Sequence, residues 1–138
     1  MQVDYSALIQ MAFEARENSV CPYSSFAVGA ALLCRDGEVY SGCNIECGAF
    51  SATMCAERTA IFKAVSEGVR DFRAIAVVGG KIEDDNLNYC TPCGVCRQVI
   101  VEFCNQPDFE IVIAKSVDDY VVYKIDQLLP EAFTDSML

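Results

Sequence analysis

Two short cysteine segments constrain the fold of this chain more than any other feature. Residues 55–57 read Cys-Ala-Glu, and residues 92–96 read Pro-Cys-Gly-Val-Cys. Each segment is predicted to open a helix, so together they offer three thiolates to one metal ion and one carboxylate beside it. A catalytic zinc has three protein ligands and keeps a fourth position open. The fold must therefore bring two helix starts that are distant in sequence to one point.

The chain contains no histidine and nine cysteines. A Ser-His-Asp or Cys-His nucleophile system is therefore excluded, and acid/base chemistry near neutral pH falls to a carboxylate, a thiol or a metal-bound water. The cysteine count is odd, and charged residues interrupt the N-terminal segment, which is unlike a signal peptide. These features predict a cytoplasmic protein whose thiols lie in the core or on a metal.

Length and charge narrow the function classes further. With 138 residues and 53% hydrophobic content, the chain is predicted to form one domain spanning residues 1–138. A net charge of −10 repels a phosphate backbone, so no stable nucleic-acid binding is expected. No apolar stretch has transmembrane length, so no membrane partner is expected either. A small neutral ligand remains compatible with this surface.

Hydrophobic periodicity predicts alternating helices and strands. Helices are expected at about 4–18, 53–67 and 91–103, a helical turn at 127–129, and strands at 26–33, 39–44, 72–78, 110–114 and 120–123. Gly79 and Gly80 are expected to end the third strand, and Thr91 to cap the third helix. Five strands with helices on both faces predict an α/β fold, a three-layer α/β/α sandwich around a mixed sheet.

The predicted metal ligands are Cys55, Cys93 and Cys96, because helix N-termini favour thiolates. Three thiolates leave a zinc site with a net charge of −1, which Arg58 could offset by contacting the sulfurs. The alternative is that Arg58 is an ordinary exposed helix residue. Glu57 is predicted to take a proton from the metal-activated water and deliver it to the substrate. The alternative is a glutamate that only the helix dipole favours.

Cys90 extends the second segment to three cysteines at intervals of three residues. As a fourth ligand it would close the site and make the zinc structural, which is the prediction of a binding module. Cys90 precedes Pro92, however, so its backbone is expected to be extended and outside the helix. We therefore predict that Cys90 is a wall residue and that it does not bind the metal.

A C-x-E motif followed by P-C-x-x-C is typical of zinc nucleobase deaminases, with cysteine where other members have histidine. The sequence resembles the cytidine deaminase family over nearly its whole length. Five segments carry the resemblance, namely residues 21–32, 42–46, 55–60, 92–98 and 128–130. The resemblance implies the α/β/α sandwich of that family and one zinc per chain.

The resemblance also implies the reaction. Cytidine and deoxycytidine would be converted to uridine and deoxyuridine in pyrimidine salvage, with release of ammonia. A zinc-bound hydroxide would attack C4 of the base, and Glu57 would shuttle the proton. A deaminase of another cytosine-containing nucleoside, such as a nucleoside antibiotic, is the alternative within enzymes.

The family's substrate contacts can be carried over to matching positions. Phe26 would line the base, and the backbone of Ala56 would read the base edge. Asn44 and Glu46 would bind the ribose, chiefly its 3′-hydroxyl; the alternative is that they only form a turn at a strand end. Phe133 resembles the aromatic residue that a neighbouring subunit of a homotetramer lends to cover the base.

The sequence departs from the family pattern at residues 47–50, which read Cys-Gly-Ala-Phe. The family has asparagine near Cys47 and tyrosine near Phe50. The phenylalanine lacks the hydroxyl group of that tyrosine, so contacts on the 5′ side of the sugar are expected to differ.

Overall fold

A mixed sheet of five strands forms the middle of the structure, a computed structural model that describes residues 3–138. Its strands are β1 (Phe26–Cys34), β2 (Val39–Cys43), β3 (Phe72–Lys81), β4 (Glu110–Ala114) and β5 (Tyr120–Tyr123). They are ordered β2-β1-β3-β4-β5 across the sheet. Only the pairing of β3 with β4 is parallel. The interiors of the central strands, such as residues 74–78 of β3 and 111–114 of β4, are apolar because both faces of the sheet are covered.

Four helices accompany the sheet in the described part of the chain. They are α1 (Ser6–Arg16), α2 (Ala56–Ser66), α3 (Gly94–Phe103) and the short α4 (Ile125–Leu128). Two 3-10 turns lie at Phe50–Ala52 and Asp135–Met137. Within residues 3–138, no helix is long and apolar enough to cross a membrane.

The two faces of the sheet carry separate hydrophobic clusters. On one face, Ile9 of α1 packs with Ala31 of β1 and Val112 of β4. On the other face, Ile61 of α2 and Ile100 of α3 pack in a second cluster. Alternate residues of each strand therefore serve different layers. The predicted three-layer α/β/α sandwich with a five-stranded mixed sheet is confirmed.

Two glycines allow the helices to approach the sheet closely. A Cβ atom on Gly29 of β1 would lie 2.0 Å from the carbonyl oxygen of Ala12 in α1. A Cβ atom on Gly42 of β2 would lie 2.7 Å from the carbonyl oxygen of Ala56 in α2. Gly42 thus lets the start of α2, where the first cysteine segment lies, rest directly on the sheet.

The prediction that Gly79 and Gly80 end the third strand is wrong, because β3 continues to Lys81. Cβ atoms at these glycines would lie 2.9 Å from Sγ of Cys90 and 2.6 Å from Cδ2 of Leu87. The glycines therefore make room for the following loop, which folds back against the strand. They allow side chains of that loop to approach the strand backbone closely, and they do not form a turn.

Candidate active site

The starts of α2 and α3 bring three thiols together. Cys55 is the N-cap residue of α2, Cys93 is the N-cap residue of α3, and Cys96 lies in the first turn of α3. The Sγ atom of Cys93 lies 3.8 Å from that of Cys55 and 3.5 Å from that of Cys96. All three sulfur atoms lie within 4.8 Å of one another.

This cluster fits a zinc ion. A tetrahedral zinc with Zn–S distances of about 2.3 Å holds its sulfur ligands about 3.8 Å apart. The observed separations are close to that value, and the three sulfurs leave a fourth position for a non-protein ligand. Cys90 is outside the group of potential ligands that the described residues form at this site. The donor set is therefore that of an open, catalytic zinc.

The cluster favours a thiolate at Cys55. The pKa of the Cys55 thiol is lowered to about 5, because it accepts hydrogen bonds from Cys96 and Arg58. The Nη2 atom of Arg58 lies 3.3 Å from Sγ of Cys55. The predicted contact between Arg58 and the sulfurs is present, and Arg58 is not merely an exposed helix residue. Its buried Nε atom has no hydrogen-bond partner within residues 3–138.

Glu57, two residues after Cys55, lies in the first turn of α2 and is only 4% exposed. Burial, with a smaller contribution from the negative charge of Cys55, raises the pKa of its carboxyl group to about 7. A carboxyl group with a pKa near neutrality can both accept and donate a proton. The shift is caused mainly by removal of the carboxyl group from water, so an exposed glutamate on the same helix would not show it.

A cavity of about 390 Å³ lies beside the cluster. Its volume falls in the range of small-molecule sites. Cys90 lines it, in agreement with its predicted place in the wall. The lining residues are Ser24, Phe26, Val28, Asn44, Glu46, Thr53, Met54, Cys55, Ala56, Glu57, Cys90, Thr91 and Cys93.

Asn44 and Glu46 both line the cavity, and both also make contacts within the chain. The Asn44 carboxamide donates to the Phe26 carbonyl oxygen (2.7 Å) and accepts from the Val28 N–H (2.9 Å). Oε1 of Glu46 accepts backbone N–H groups of the preceding loop, residues 21–25. Asn44 therefore does form contacts at the end of the strand. Its amide group still has one N–H hydrogen and one oxygen lone pair with which to bind a ligand.

Phe133 is not among the residues that line the cavity of its own chain. Its side chain is 54% exposed, and its carbonyl oxygen accepts a hydrogen bond from Nε2 of Gln98 in α3 (2.7 Å). The C-terminal tail is thus tied to the helix that carries two of the three thiols.

A second cavity of about 370 Å³ adjoins the first. Ser24, Glu46 and Thr53 line both cavities, and Tyr23 and Phe50 complete the second one. The rings of Tyr23 and Phe50 meet edge to face with centroids 5.8 Å apart. Sequence reasoning assigned no role to Ser24 or Thr53. Ser24 lies in the breaker segment before β1 and within residues 21–32, which resemble the family, but neither feature indicates what its hydroxyl group contacts.

A three-layer sandwich with three thiols and a buried glutamate at two helix starts defines a zinc-dependent enzyme of the nucleobase-deaminase class. The chain belongs to the cytidine and deoxycytidylate deaminase family. Its residues 2–112 match the family model described as "Cytidine and deoxycytidylate deaminase zinc-binding region". The match to a zinc-binding region and the three-cysteine cluster agree with one zinc per chain.

Known proteins resemble the chain over nearly its whole length. A cytidine deaminase of Sporosarcina psychrophila is 50% identical over 134 residues, covering 96% of this chain and 93% of that protein. The crystal structure of a cytidine deaminase from Burkholderia pseudomallei superposes with a TM-score of 0.84 at 44% identity, covering 95% and 100% of the two chains. A blasticidin-S deaminase of Bacillus cereus is 34% identical over 110 residues, covering 78% and 76%.

Proposed function

We propose that the chain catalyses the hydrolytic deamination of cytidine and deoxycytidine to uridine and deoxyuridine, with release of ammonia. One observation carries this proposal, namely the buried Glu57 beside three clustered thiols at the wall of a nucleoside-sized cavity. The names of the similar proteins support the same reaction.

Cys55, Cys93 and Cys96 would hold the zinc. Zinc, when bound, supplies a Lewis acid that makes a water molecule more acidic. Glu57 would take up one proton from the attacking water and pass it to N3 of the cytosine ring. It would then take the second proton from the oxygen that has added to C4 and pass it to the amine, which leaves as ammonia. Its pKa near 7 suits both transfers, because an effective acid/base group titrates near the working pH.

The base lies between two elements of the cavity wall. Phe26 lines the base with its ring. Ala56 is the first residue of α2, so its backbone N–H has no partner within the helix and can donate to the base edge. Arg58 compensates the negative charge of the thiolates through its contact with Cys55.

Asn44 and Glu46 bind the sugar, chiefly at the 3′-hydroxyl. A carboxylate accepts a hydrogen bond from a hydroxyl group and repels a phosphate at the same place. A substrate with a free 3′-hydroxyl, such as a nucleoside, is therefore favoured over a strand or a 3′-phosphate. The net charge of −10 disfavours nucleic acid for the same reason.

The whole chain acts as one domain, residues 1–138, in a homotetramer with shared active sites. Phe133 of one subunit covers the base that another subunit holds, consistent with its exposure outside the cavity of its own chain. The nine cysteines carry no disulfide in the structure, which suits the reducing cytoplasm. No membrane partner is proposed.

A second candidate is the deamination of another cytosine-containing nucleoside. The similarity to a blasticidin-S deaminase favours it, as does the Phe50 that replaces the family's tyrosine near the sugar. A structural zinc module closed by Cys90 has no such support, because Cys90 is outside the three-thiol group.

The ultraviolet absorbance change on deamination tests the two candidates. The zinc-loaded protein should deaminate cytidine and deoxycytidine, and should act far more slowly on cytidine 5′-phosphate, cytosine and blasticidin S. Turnover of blasticidin S at higher kcat/KM than cytidine would favour the second candidate. No turnover of any of these compounds by zinc-loaded protein would reject both.

A further inference from the structure

The loop before β1 holds the carboxylate that is proposed to bind the sugar. Oε1 of Glu46 accepts the backbone N–H groups of Tyr23 (2.9 Å) and Ser24 (3.2 Å). Oε2 of Glu46 accepts the hydroxyl group of Ser24. That hydroxyl oxygen also accepts the backbone N–H of Phe26 at 2.9 Å. One serine hydroxyl thus joins Glu46 to the start of the strand that carries Phe26.

The hydrogen-bonding capacity of Glu46 is nearly filled by this loop. An ionised carboxylate offers about four acceptor positions, two on each oxygen. Oε1 uses both of its positions on backbone N–H groups, and Oε2 uses one on the Ser24 hydroxyl. The remaining position is therefore on Oε2, and the Ser24 hydroxyl decides where that oxygen lies.

Ser24 is itself held firmly, so it can act as a fixed support. Its carbonyl oxygen accepts a hydrogen bond from Nζ of Lys81 at 2.6 Å. The following residue, Ser25, donates its N–H to the carbonyl oxygen of Cys21 (3.0 Å) and accepts from the N–H of Ile82 (2.8 Å). The backbone on the C-terminal side of Ser24 is thereby hydrogen-bonded to Cys21 and to residues 81–82.

The same contacts keep Glu46 in the form that accepts hydrogen bonds. The hydrogen bond from Ser24 lowers the pKa of the Glu46 carboxyl group, and the two backbone N–H groups act in the same direction. Ser24 and Glu46 also both line the two adjoining cavities. A displacement of the Glu46 carboxylate would thus change the boundary between them.

We propose that Ser24 is a positioning residue that presents Oε2 of Glu46 to the 3′-hydroxyl of the nucleoside, and so sets the preference for substrates with a free 3′-hydroxyl. This inference rests on the proposed function. Ser24 acts through Glu46 and does not take part in proton transfer. Its effect is therefore expected in substrate binding and discrimination, and not in the chemical step.

The test compares cytidine with 3′-deoxycytidine in the zinc-loaded enzyme and in Ser24→Ala. The variant should lose about tenfold in kcat/KM for cytidine, mainly through KM, since a hydrogen bond to a charged group has an effect of this order. For 3′-deoxycytidine, kcat/KM should change by less than about twofold, because that substrate has no hydroxyl group for Glu46 to bind. Ser24→Thr keeps the hydroxyl group and should therefore discriminate between cytidine and 3′-deoxycytidine as wild type does.

Two further variants distinguish a specific effect on the position of Glu46 from a general loss of stability or zinc. Ser25→Ala is the matched control, because it removes the hydroxyl group of the neighbouring residue. The φ angle of Ser25 is 58°, and because serine and alanine both carry a Cβ atom, the substitution does not add a Cβ atom at this backbone conformation. It should behave as wild type. Ser24→Cys replaces the hydroxyl group by a thiol of similar shape that donates only weakly, so kcat/KM for cytidine should fall by an intermediate amount. This variant replaces Ser24→Ala in the test if Ser24→Ala does not fold. Zinc content and melting temperature are measured for each.

A double-mutant cycle with Glu46→Gln gives the decisive comparison. If Ser24 acts through Glu46, Ser24→Ala should add less than about twofold once Glu46 is changed, because coupled residues are not additive. Fully additive effects, or an equal loss on both substrates in a folded variant, would overturn the inference. Wild-type enzyme that fails to deaminate cytidine would instead reject the proposed function, so the two failures are distinguishable.

Discussion

Two ionisable groups of the same helix start are driven in opposite directions by their surroundings. The Cys55 thiol accepts hydrogen bonds from Cys96 and Arg58, so its pKa falls to about 5. Glu57 is buried, so its pKa rises to about 7. Hydrogen bonding to the charged form and desolvation are separable causes of pKa shifts. One group is thereby suited to bind a metal as a thiolate, and the other to carry a proton near pH 7.

The first prediction concerns Cys90. Cys90→Ser should retain one zinc per chain, because its sulfur lies in the cavity wall and outside the three-thiol group. Cys96→Ser, the matched change at a ligand, should lose most of the metal. Zinc content and X-ray absorption measure this directly. Metal loss from Cys90→Ser, with four sulfurs around the zinc of wild type, would contradict the catalytic site.

At the scale of elements, the sequence predicted strands better than helix starts. The interiors of the central strands are apolar runs, and β1 starts at Phe26 as expected. Thr91 was the expected cap of the third helix, because threonine favours that position. The helix begins at Gly94 with Cys93 as its N-cap residue, and neither Cys93 nor Cys55 makes a side-chain capping bond. Sulfurs of the three-thiol cluster thus occupy positions where capping oxygens are expected.

The second prediction concerns the contact between α1 and β1. Gly29→Ala should lower the free energy of unfolding by about 1–3 kcal/mol or more, since its Cβ would overlap the Ala12 carbonyl oxygen. Gly94→Ala is the control, because a Cβ there meets no atom within 4 Å. Its stability should be unchanged or slightly higher. Urea unfolding measures both; equal stabilities would show that Gly29 does not set the contact.

At the scale of the whole molecule, the site depends on long-range placement that local patterns do not encode. The cavity combines the start of β1, the segment after β2 and the starts of α2 and α3. Cysteine spacing alone predicted the ligands, and resemblance to a family supplied the substrate contacts. The support that Ser24 gives to Glu46 was missed, because the motif that contains Ser24 does not indicate which distant carboxylate its hydroxyl group contacts.

The third prediction concerns the tail. Phe133→Ala should raise KM for cytidine while zinc stays bound, because stacking of a base on an aromatic ring contributes about 1–3 kcal/mol. Met137→Ala, an exposed apolar residue of the same tail, is the control and should leave KM unchanged. Steady-state kinetics and zinc content measure the effect. A KM equal to that of wild type in Phe133→Ala would exclude a contact with the base.

Mixed assemblies test whether Phe133 acts on a neighbouring subunit. Glu57→Gln chains and Phe133→Ala chains, unfolded and reassembled together, create sites in which an intact Glu57 meets an intact Phe133 from another chain. Such hybrids should regain tight cytidine binding. A fully active monomer by light scattering, or no recovery in verified hybrids, would count against shared sites.

The most direct test of the proposed chemistry is the turnover of cytidine by Glu57→Gln. This variant should keep its fold and one zinc per chain but lose at least ~10²–10⁴-fold in kcat, because a positioned acid/base group contributes that much. Glu102→Gln makes the same chemical change at an exposed residue of α3 and should retain full activity. The absorbance assay on zinc-loaded protein decides the matter: a loss of less than about tenfold in Glu57→Gln would show that Glu57 is not the proton carrier.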